Sequence, residues 1–341
     1  MARTLNPEQL LPLLRTLGDG AWHSGAALAR DAGVTRAALS KRVQKLIGWG
    51  LEIETQPGRG CRLVQPLELL DADLIRGAMN ASDRARLQVR VVTGTDSTNT
   101  QLMDAAGALD PQALLAEHQT GGRGRHGRSW HSPFGANLYL SLGWSFAQWP
   151  AALTALPLAA GVATARALER LQLPDLRLKW PNDLWCRDAK LGGILIEQRG
   201  EAGGPCRVVI GLGLNVSMRT ATSAEIGRPW TSLRELLGTE PSRNLLAARI
   251  LEEWLAVLDR YAQEGFAPFE PAFRTLDVLR GRAVGVQLAG GECHGIARGV
   301  DESGALLVDV GSERKRILAG DVALRTSVEE TAPDSRPRGQ A

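Results

Sequence analysis

Leucines at positions 10, 13, 14 and 17 recur at helical spacing, and the triplet Gly18, Asp19, Gly20 ends the run. Asn6, Pro7 and Gln9 read as an N-cap, an N1 proline and the far end of a capping box. Ser24 is placed to cap a second helix over 25–31, which Gly33 can end. Thr35 is placed to cap a third helix running to about Trp49, with Leu39, Val43, Leu46 and Ile47 as its apolar stripe. Leu-Glu-Ile-Glu-Thr at 51–55, the pair Pro57 and Gly58, and Arg-Gly-Cys-Arg-Leu at 59–63 then read as strand, tight turn, strand. Short helices joined by a tight glycine turn and followed by a hairpin predict a winged helix-turn-helix over residues 1–65.

Residues 66–83 read as a linker with a short helix. The block 84–272 alternates strand and helix signals, which predicts an α/β or α+β domain. Its strand candidates are 87–92, 114–117, 137–142, 177–180, 193–198 and 208–214, and its helices are 151–171 and 244–263. Residues 273–326 turn β-rich, with turns such as Asp-Glu-Ser-Gly at 301–304, and predict a small antiparallel barrel. The polar tail 327–341 is expected to be disordered. The stretch 151–168 is the most apolar, but Pro157, Gly161 and Arg166 interrupt it, so a buried helix is expected rather than a membrane span.

The chain has 341 residues and a formal net charge of +3, so bulk charge does not announce a nucleic-acid partner. Placement does. The third helix carries Arg36, Ser40, Lys41, Arg42, Gln44 and Lys45, and the hairpin tip adds Arg59. These residue types contact phosphates and base edges, and their position makes DNA binding the expectation over a merely solvated basic face. The four cysteines are scattered and form no CxxC pair, which suits a reducing compartment and argues against a disulfide framework. No apolar leader opens the chain, so a cytoplasmic location is expected. The five histidines show no metal-ligand spacing, and no protein-held metal is expected.

The strongest chemical signal is the segment 121–128, Gly-Gly-Arg-Gly-Arg-His-Gly-Arg. Glycines let backbone N–H groups approach an anion, and arginines supply forked cationic donors for phosphate or carboxylate. A basic surface loop is the bland alternative. A sharper rival is the dinucleotide fingerprint, because Gly122, Gly124 and Gly127 match G-x-G-x-x-G. That motif needs a helix to open behind it and an acidic residue about twenty positions on. Here Pro133 and Gly135 follow quickly, and no Asp or Glu lies between Glu117 and Glu169, so the fingerprint fails. Lys-Trp-Pro-Asn-Asp at 179–183 and Lys-Leu-Gly-Gly-Ile at 190–194 put two lysines, an amide and a carboxylate around a proline turn. A strand at 211–215 ends in Asn215. Asp-Ser-Thr-Asn at 96–99 reads equally as a helix cap or an Asx-turn.

Taken together, the segments 96–99, 122–130, 132–138, 179–183, 190–197 and 211–215 resemble, in order and spacing, the biotin–protein ligases. Trp-His-Ser-Gly at 22–25 and Thr-Arg-Ala-Ala at 35–38 resemble the bifunctional class, in which ligase and biotin-operon repressor share one chain. The resemblance covers about residues 5–326. It implies an α+β multidomain protein: a winged helix-turn-helix, a mixed catalytic domain of class II synthetase-like type, and a C-terminal SH3-like barrel. It also implies two reaction steps. Biotin and ATP, with Mg²⁺, form biotinyl-5′-AMP, and a lysine of a biotin carboxyl carrier protein then takes the biotinyl group.

By the same resemblance Ser97, Thr98, Asn99 and Gln119 line the biotin pocket, and Arg123, Gly124 and Arg125 close over biotin and phosphate. Lys190 contacts the carboxylate or α-phosphate. Asn182 and Asp183 face nucleotide, metal and incoming lysine, with Asp183 orienting or deprotonating the acceptor amine. Asn215 joins the ligand-binding set, and Trp230 packs on adenine. Arg123, Arg125, Asp183 and Lys190 form the catalytic group. Where the family loop often has arginine, this chain has His126. Apart from Trp230, the polar segment 219–229 matches its relatives poorly. The resemblance further implies operator DNA and an adenylate-promoted homodimer. The competing readings are a sensor-type transcription factor without ligase activity, and lipoate attachment.

Overall fold

The computed structural model describes residues 7–105, 110–150, 152–201, 203–218, 226–288 and 291–325. Asn6, most of the polar segment before Trp230 and the tail lie outside the described residues.

The N-terminal unit opens with a 3-10 turn, Pro7–Leu10, and continues as α1 (Leu11–Leu17), α2 (Gly25–Asp31), α3 (Arg36–Gly48) and the hairpin β1 (Ile53–Gln56) and β2 (Gly60–Leu63). The leucine stripe of α1 and Leu39, Val43 and Leu46 of α3 share one core with Cys61 and Leu63. Thr35 caps α3 as expected, its hydroxyl accepting from the Ala38 amide at 3.2 Å. Ser24 sits at the N-cap of α2 with extended backbone, but its side chain makes no capping hydrogen bond. Gly60 must be glycine, because a Cβ there would lie 1.8 Å from the His23 carbonyl oxygen.

The stretch expected as a linker holds two helices, α4 (Ala72–Ala78) and α5 (Ala81–Arg86), capped by Asp71 and Asn80. Leu70, Ile75 and Met79 are buried in the central core, so this segment is a packed part of that domain. Its anchor is an ion pair deep in the protein. Arg243 donates to Glu117 at 2.7 Å and to the carbonyls of Asn137 and Glu68, and Glu117 also accepts the Leu70 amide at 2.5 Å.

Among the described residues the central sheet has seven strands: β3 (Gln88–Val92), β4 (Gln112–Ala116), β5 (Asn137–Phe146), β6 (Leu176–Lys179), β7 (Asp183–Cys186), β8 (Ala189–Gly200) and β9 (Cys206–Asn215). Their order is β3-β4-β5-β9-β8-β7-β6; β3 and β4 are parallel and the other ladders antiparallel. Sequence reading missed β7, a four-residue strand whose register is set by the Trp180–Asn182 turn rather than by its own pattern. The alternation along β5 and β9 sorts residues to two faces. Leu138, Leu140, Leu142, Val208, Ile210, Leu212 and Leu214 join the main core, which also holds α7 (Leu156–Leu168) and the long helix Arg243–Glu264. The helix expected over 151–171 is shorter because Pro157 occupies its first turn and 3-10 turns flank it.

Tyr139, Ser141, Gly211, Gly213 and Asn215 alternate with those core residues and therefore point to the opposite face. There α6 (Thr98–Asp104) packs Leu102 and Met103 on Leu114 and Val209.

The C-terminal unit is an antiparallel sheet ordered β13-β12-β11-β10-β14: β10 (Ala283–Leu288), β11 (Gly291–Val300), β12 (Leu306–Val310), β13 (Glu313–Ile317) and β14 (Asp321–Leu324). No ladder joins β13 to β14 among the described residues, so hydrogen bonds do not close the expected barrel. Its turn at Gly304 fits against Ala155, and the Gly304 carbonyl accepts the Trp180 indole N–H at 2.9 Å. No helix of the described residues is long and apolar enough to cross a membrane.

Candidate active site

The small-residue face of the sheet makes room for two side chains. A Cβ on Gly211 would lie 2.1 Å from Asn99 Oδ1, and one on Gly213 would lie 2.3 Å from the Trp130 ring. These glycines are the floor on which Asn99 and Trp130 rest. Ser97 is the N-cap of α6, so the ambiguous segment 96–99 is a helix start. Asp96 accepts the Ser97 amide and the Thr95 hydroxyl, which hold its carboxyl below the usual range. Gln119 Oε1 accepts the Thr98 amide at 2.9 Å, and Ser141 Oγ lies 2.7 Å from Thr98 Oγ1 and 2.6 Å from Asn99 Oδ1. The Asn99 amide donates to Glu197 at 2.9 Å. Ser97, Thr98, Asn99 and Gln119 are thus one connected polar wall, with Ser141 and Glu197 as members that sequence reading did not single out.

The Gly-Arg segment folds beside this wall. Its base is fixed by backbone bonds from the Gly121 amide to Asp96 O, from the Trp130 amide to Gly122 O and from the Gly124 amide to Arg128 O. The Gly124 N–H therefore serves the loop's own turn. Arg123 donates to Thr100 at 2.7 Å and to Glu197 at 3.2 Å. Arg125–Gly127 is a 3-10 turn in which His126 adopts φ 55°, a left-handed conformation unusual for a residue with a Cβ. Burial pulls the Arg125 pKa below the ordinary arginine value.

The other wall is cationic. Lys190 Nζ lies 2.5 Å from Asp183 Oδ1 and 5.3 Å from the centre of the Trp130 ring. Lys190 and Asp183 side chains are 11% and 14% exposed, so this pair is largely desolvated. Burial pushes the Lys190 pKa below the ordinary lysine value, against the opposing pull of Asp183. Lys179 is also pushed down by burial and stacks its ammonium 4.3 Å from the Trp185 ring centre. Arg228 brings a further guanidinium to 3.7 Å from Asp183 Oδ2. It stands there because Lys190 N donates to Pro229 O and Thr231 N to Lys190 O, a short bridge that also sets Trp230 beside Lys190.

Two expected ligand-binding amides are engaged in the scaffold. Asn182 Nδ2 donates to Ile194 O at 2.6 Å, and Asn215 Nδ2 donates to the carbonyls of Thr231 and Lys190. They position the lysine and tryptophan strands. No group of three potential metal ligands lies together among the described residues.

In the N-terminal unit Arg36, Ser40, Lys41 and Gln44 form an exposed face of α3, and Arg59 is exposed at the hairpin tip, 4.4 Å from the Trp22 ring centre. Arg42 and Lys45 are half-buried. Lys45 turns toward Trp49, which stacks on Phe134 of the central domain at 5.0 Å.

The chain thus combines a basic helix-turn-helix head, a polar wall resting on glycines and a desolvated Lys–Asp pair beside a Gly-Arg loop. Residues 91–215 match the biotin/lipoate A/B protein ligase family, 280–325 the biotin protein ligase C-terminal domain, and 8–62 a helix-turn-helix domain. The chain is 41% identical to the bifunctional ligase/repressor BirA of Salmonella typhimurium over 318 residues, covering 93% of this chain and 98% of that relative. It belongs to the BirA family of bifunctional ligase/repressors.

Another relative, the biotin–[acetyl-CoA-carboxylase] ligase of Mycobacterium tuberculosis, is 38% identical and covers 74% of this chain and 95% of its own length. Among solved structures, the Aquifex aeolicus biotin protein ligase in complex with biotin and ATP superposes with a TM-score of 0.60 at 28% identity, covering 70% of this chain and 99% of that one. The chain is accordingly a biotin–protein ligase that carries a DNA-binding repressor head, and the sensor-only and lipoate readings give way.

Proposed function

We propose that the groove between the Gln119–Asn99 wall and the Lys190–Asp183 pair binds biotin and ATP and carries both half-reactions. The observation that carries this reading is the desolvated Lys190–Asp183 pair, with the Lys190 ammonium over the Trp130 ring, the Lys190 backbone bridged to Trp230, and Arg125 and Arg128 of the loop within electrostatic reach. In the first step a biotin carboxylate oxygen attacks the α-phosphorus, and pyrophosphate leaves with the electrons of the broken P–O bond. Two anions must meet, so the barrier is chiefly electrostatic. Arg125, Lys190 and Arg228 are cations gathered around Asp183, Arg123 stands across from them on the Asn99 wall, and one such preorganised donor is typically worth about 3 kcal/mol. Mg²⁺ carried on the phosphates would add charge neutralisation there, with Asp183 as its protein carboxylate. In the second step the carrier lysine nitrogen attacks the acyl carbon and AMP departs. Asp183 orients that amine and takes its proton, while Lys190 holds the phosphate.

Residues 84–272, together with the packed segment 66–83, form the ligase unit in this reading, 1–65 the operator-reading head, with Arg36, Ser40, Lys41, Gln44 and Arg59 toward DNA, and 273–326 the C-terminal unit. Biotinyl-5′-AMP acts as corepressor by favouring a homodimer that spans two half-sites. Incubation with ATP, Mg²⁺ and either biotin or lipoate plus a carrier domain, followed by mass mapping of the modified lysine, tests the ligase reading, and absence of biotin transfer overturns it. Operator mobility with and without biotin and ATP tests the switch, and DNA binding indifferent to both overturns it alone.

A further inference from the structure

The base of the Gly-Arg loop is held by the central domain, but its tip is not. The Arg125 guanidinium donates to the Gly320 carbonyl at 3.3 Å, and Arg128 forms a two-pronged ion pair with the Asp321 carboxylate. The hydrogen bonds that the Arg125–Gly127 turn and Arg128 side chains make to other parts of the chain end on these two consecutive residues. Gly320 immediately precedes β14 of the C-terminal unit and Asp321 opens it, 193 residues away from Arg128. Gly320 is itself pressed against β10, where a Cβ would come 3.0 Å from Gln287 O, so the acceptor pair has little freedom. The carboxylate of Asp321 also acts electrostatically on Arg125 and on Lys179.

We propose that Asp321 is a positioning residue for the ligase reaction: from the C-terminal unit it clasps Arg128 and thereby presents Arg125 to the adenylate site. This rests on the ligase reading above. The turn contains a left-handed His126, a conformation that local sterics disfavour. Contacts outside the turn must hold it, and the Asp321 clasp supplies them. Without the clasp the tip samples open conformations, Arg125 faces the phosphates for a smaller fraction of the time, and the intermediate escapes more readily. The clasp also gives the C-terminal unit a part in chemistry it does not otherwise touch.

The test compares the wild-type chain with Asp321→Ala, Asp321→Glu and the charge exchange Arg128→Glu/Asp321→Arg. Three quantities are read: trypsin cleavage after Arg125 and Arg128, KM for ATP against kcat, and release of biotinyl-5′-AMP into solution without carrier. The ion pair is half-exposed, so Asp321→Ala is expected to raise loop cleavage, KM and release each by about 3- to 10-fold, with kcat at saturating ATP and the melting temperature little changed. Asp321→Glu is expected to restore loop protection, and so is the charge exchange, read there as cleavage after Arg125 alone because glutamate at position 128 is no trypsin site. Unchanged cleavage and KM in Asp321→Ala would overturn the clasp, as would a general loss of activity and melting temperature that neither compensating variant repairs. If the wild-type protein makes no adenylate, the ligase reading fails, while the cleavage comparison still decides the clasp.

Discussion

Replacing Asp183 by asparagine should move the pH dependence of adenylate formation in a direction the Lys190 environment dictates. Lys190 is largely buried, 2.5 Å from Asp183, and its pKa lies below the ordinary lysine value because burial disfavours the cation. Asp183 is the charge that opposes this fall, while Arg228 and Arg128 add to it. Asparagine keeps the shape and removes the anion, so the Lys190 pKa drops further. Two unit charges at about 4 Å and an effective dielectric of about 20 interact by roughly 4 kcal/mol, which is a ceiling on what Asp183 contributes. Water at the mouth of the groove weakens this, so the loss of Asp183 lowers the Lys190 pKa by part of that ceiling. Adenylation needs the charged lysine, so the rate falls as pH rises through its pKa, and in Asp183→Asn that alkaline limb moves to lower pH. Pyrophosphate release in a single turnover without carrier reports the step directly. A Lys190→Arg background supplies the control, because guanidinium does not titrate in this range and its limb should not move. An alkaline limb unmoved by Asp183→Asn in the lysine background would refute the coupling.

Removing one partner of the Arg243–Glu117 pair, 4% and 2% exposed, should destabilise the chain by about 3 to 5 kcal/mol in urea unfolding, and an Arg243→Met/Glu117→Leu double variant should lose less than Arg243→Ala. Gly213→Ala places a methyl where the Trp130 ring lies; overpacking of about 1 to 3 kcal/mol should displace the indole and weaken biotinyl-5′-AMP binding roughly tenfold or more, read by calorimetry, with unchanged DNA affinity in the absence of biotin and ATP as the check. Lys41→Ala, on the exposed face of α3, should leave ligase rates unchanged and reduce the salt dependence of operator binding by about one phosphate contact, read as the slope of log affinity against log salt.

Much of this molecule is written in local pattern. The leucine spacing of α1, the Thr35 cap and the alternation of β5 and β9 are properties of short segments, and hydrophobic burial makes each of them a helix or strand wherever it sits. The family motifs are likewise contiguous, so the Gly-Arg loop and the segments that hold Lys190 and Asp183 stand out in the sequence. Helices α4 and α5 were less so, because their packing partners lie far along the chain on Arg243–Glu264. What a contiguous motif does not carry is which atom each polar group meets. Asn182 and Asn215 look like ligand amides in sequence, yet the turn between β6 and β7 and the end of β9 set them against backbone carbonyls. Arg228 gains its place by a two-bond bridge to Lys190, and Glu197 because β8 presents it to Asn99 at the start of α6. Asp321 has no signal at all near the loop it holds. The sequence alone determined the elements and the chemical vocabulary of the site, since these follow from neighbours a few residues apart. Only the tertiary structure decided the pairings, because an ion pair or a glycine floor depends on distances that the chain closes from opposite ends.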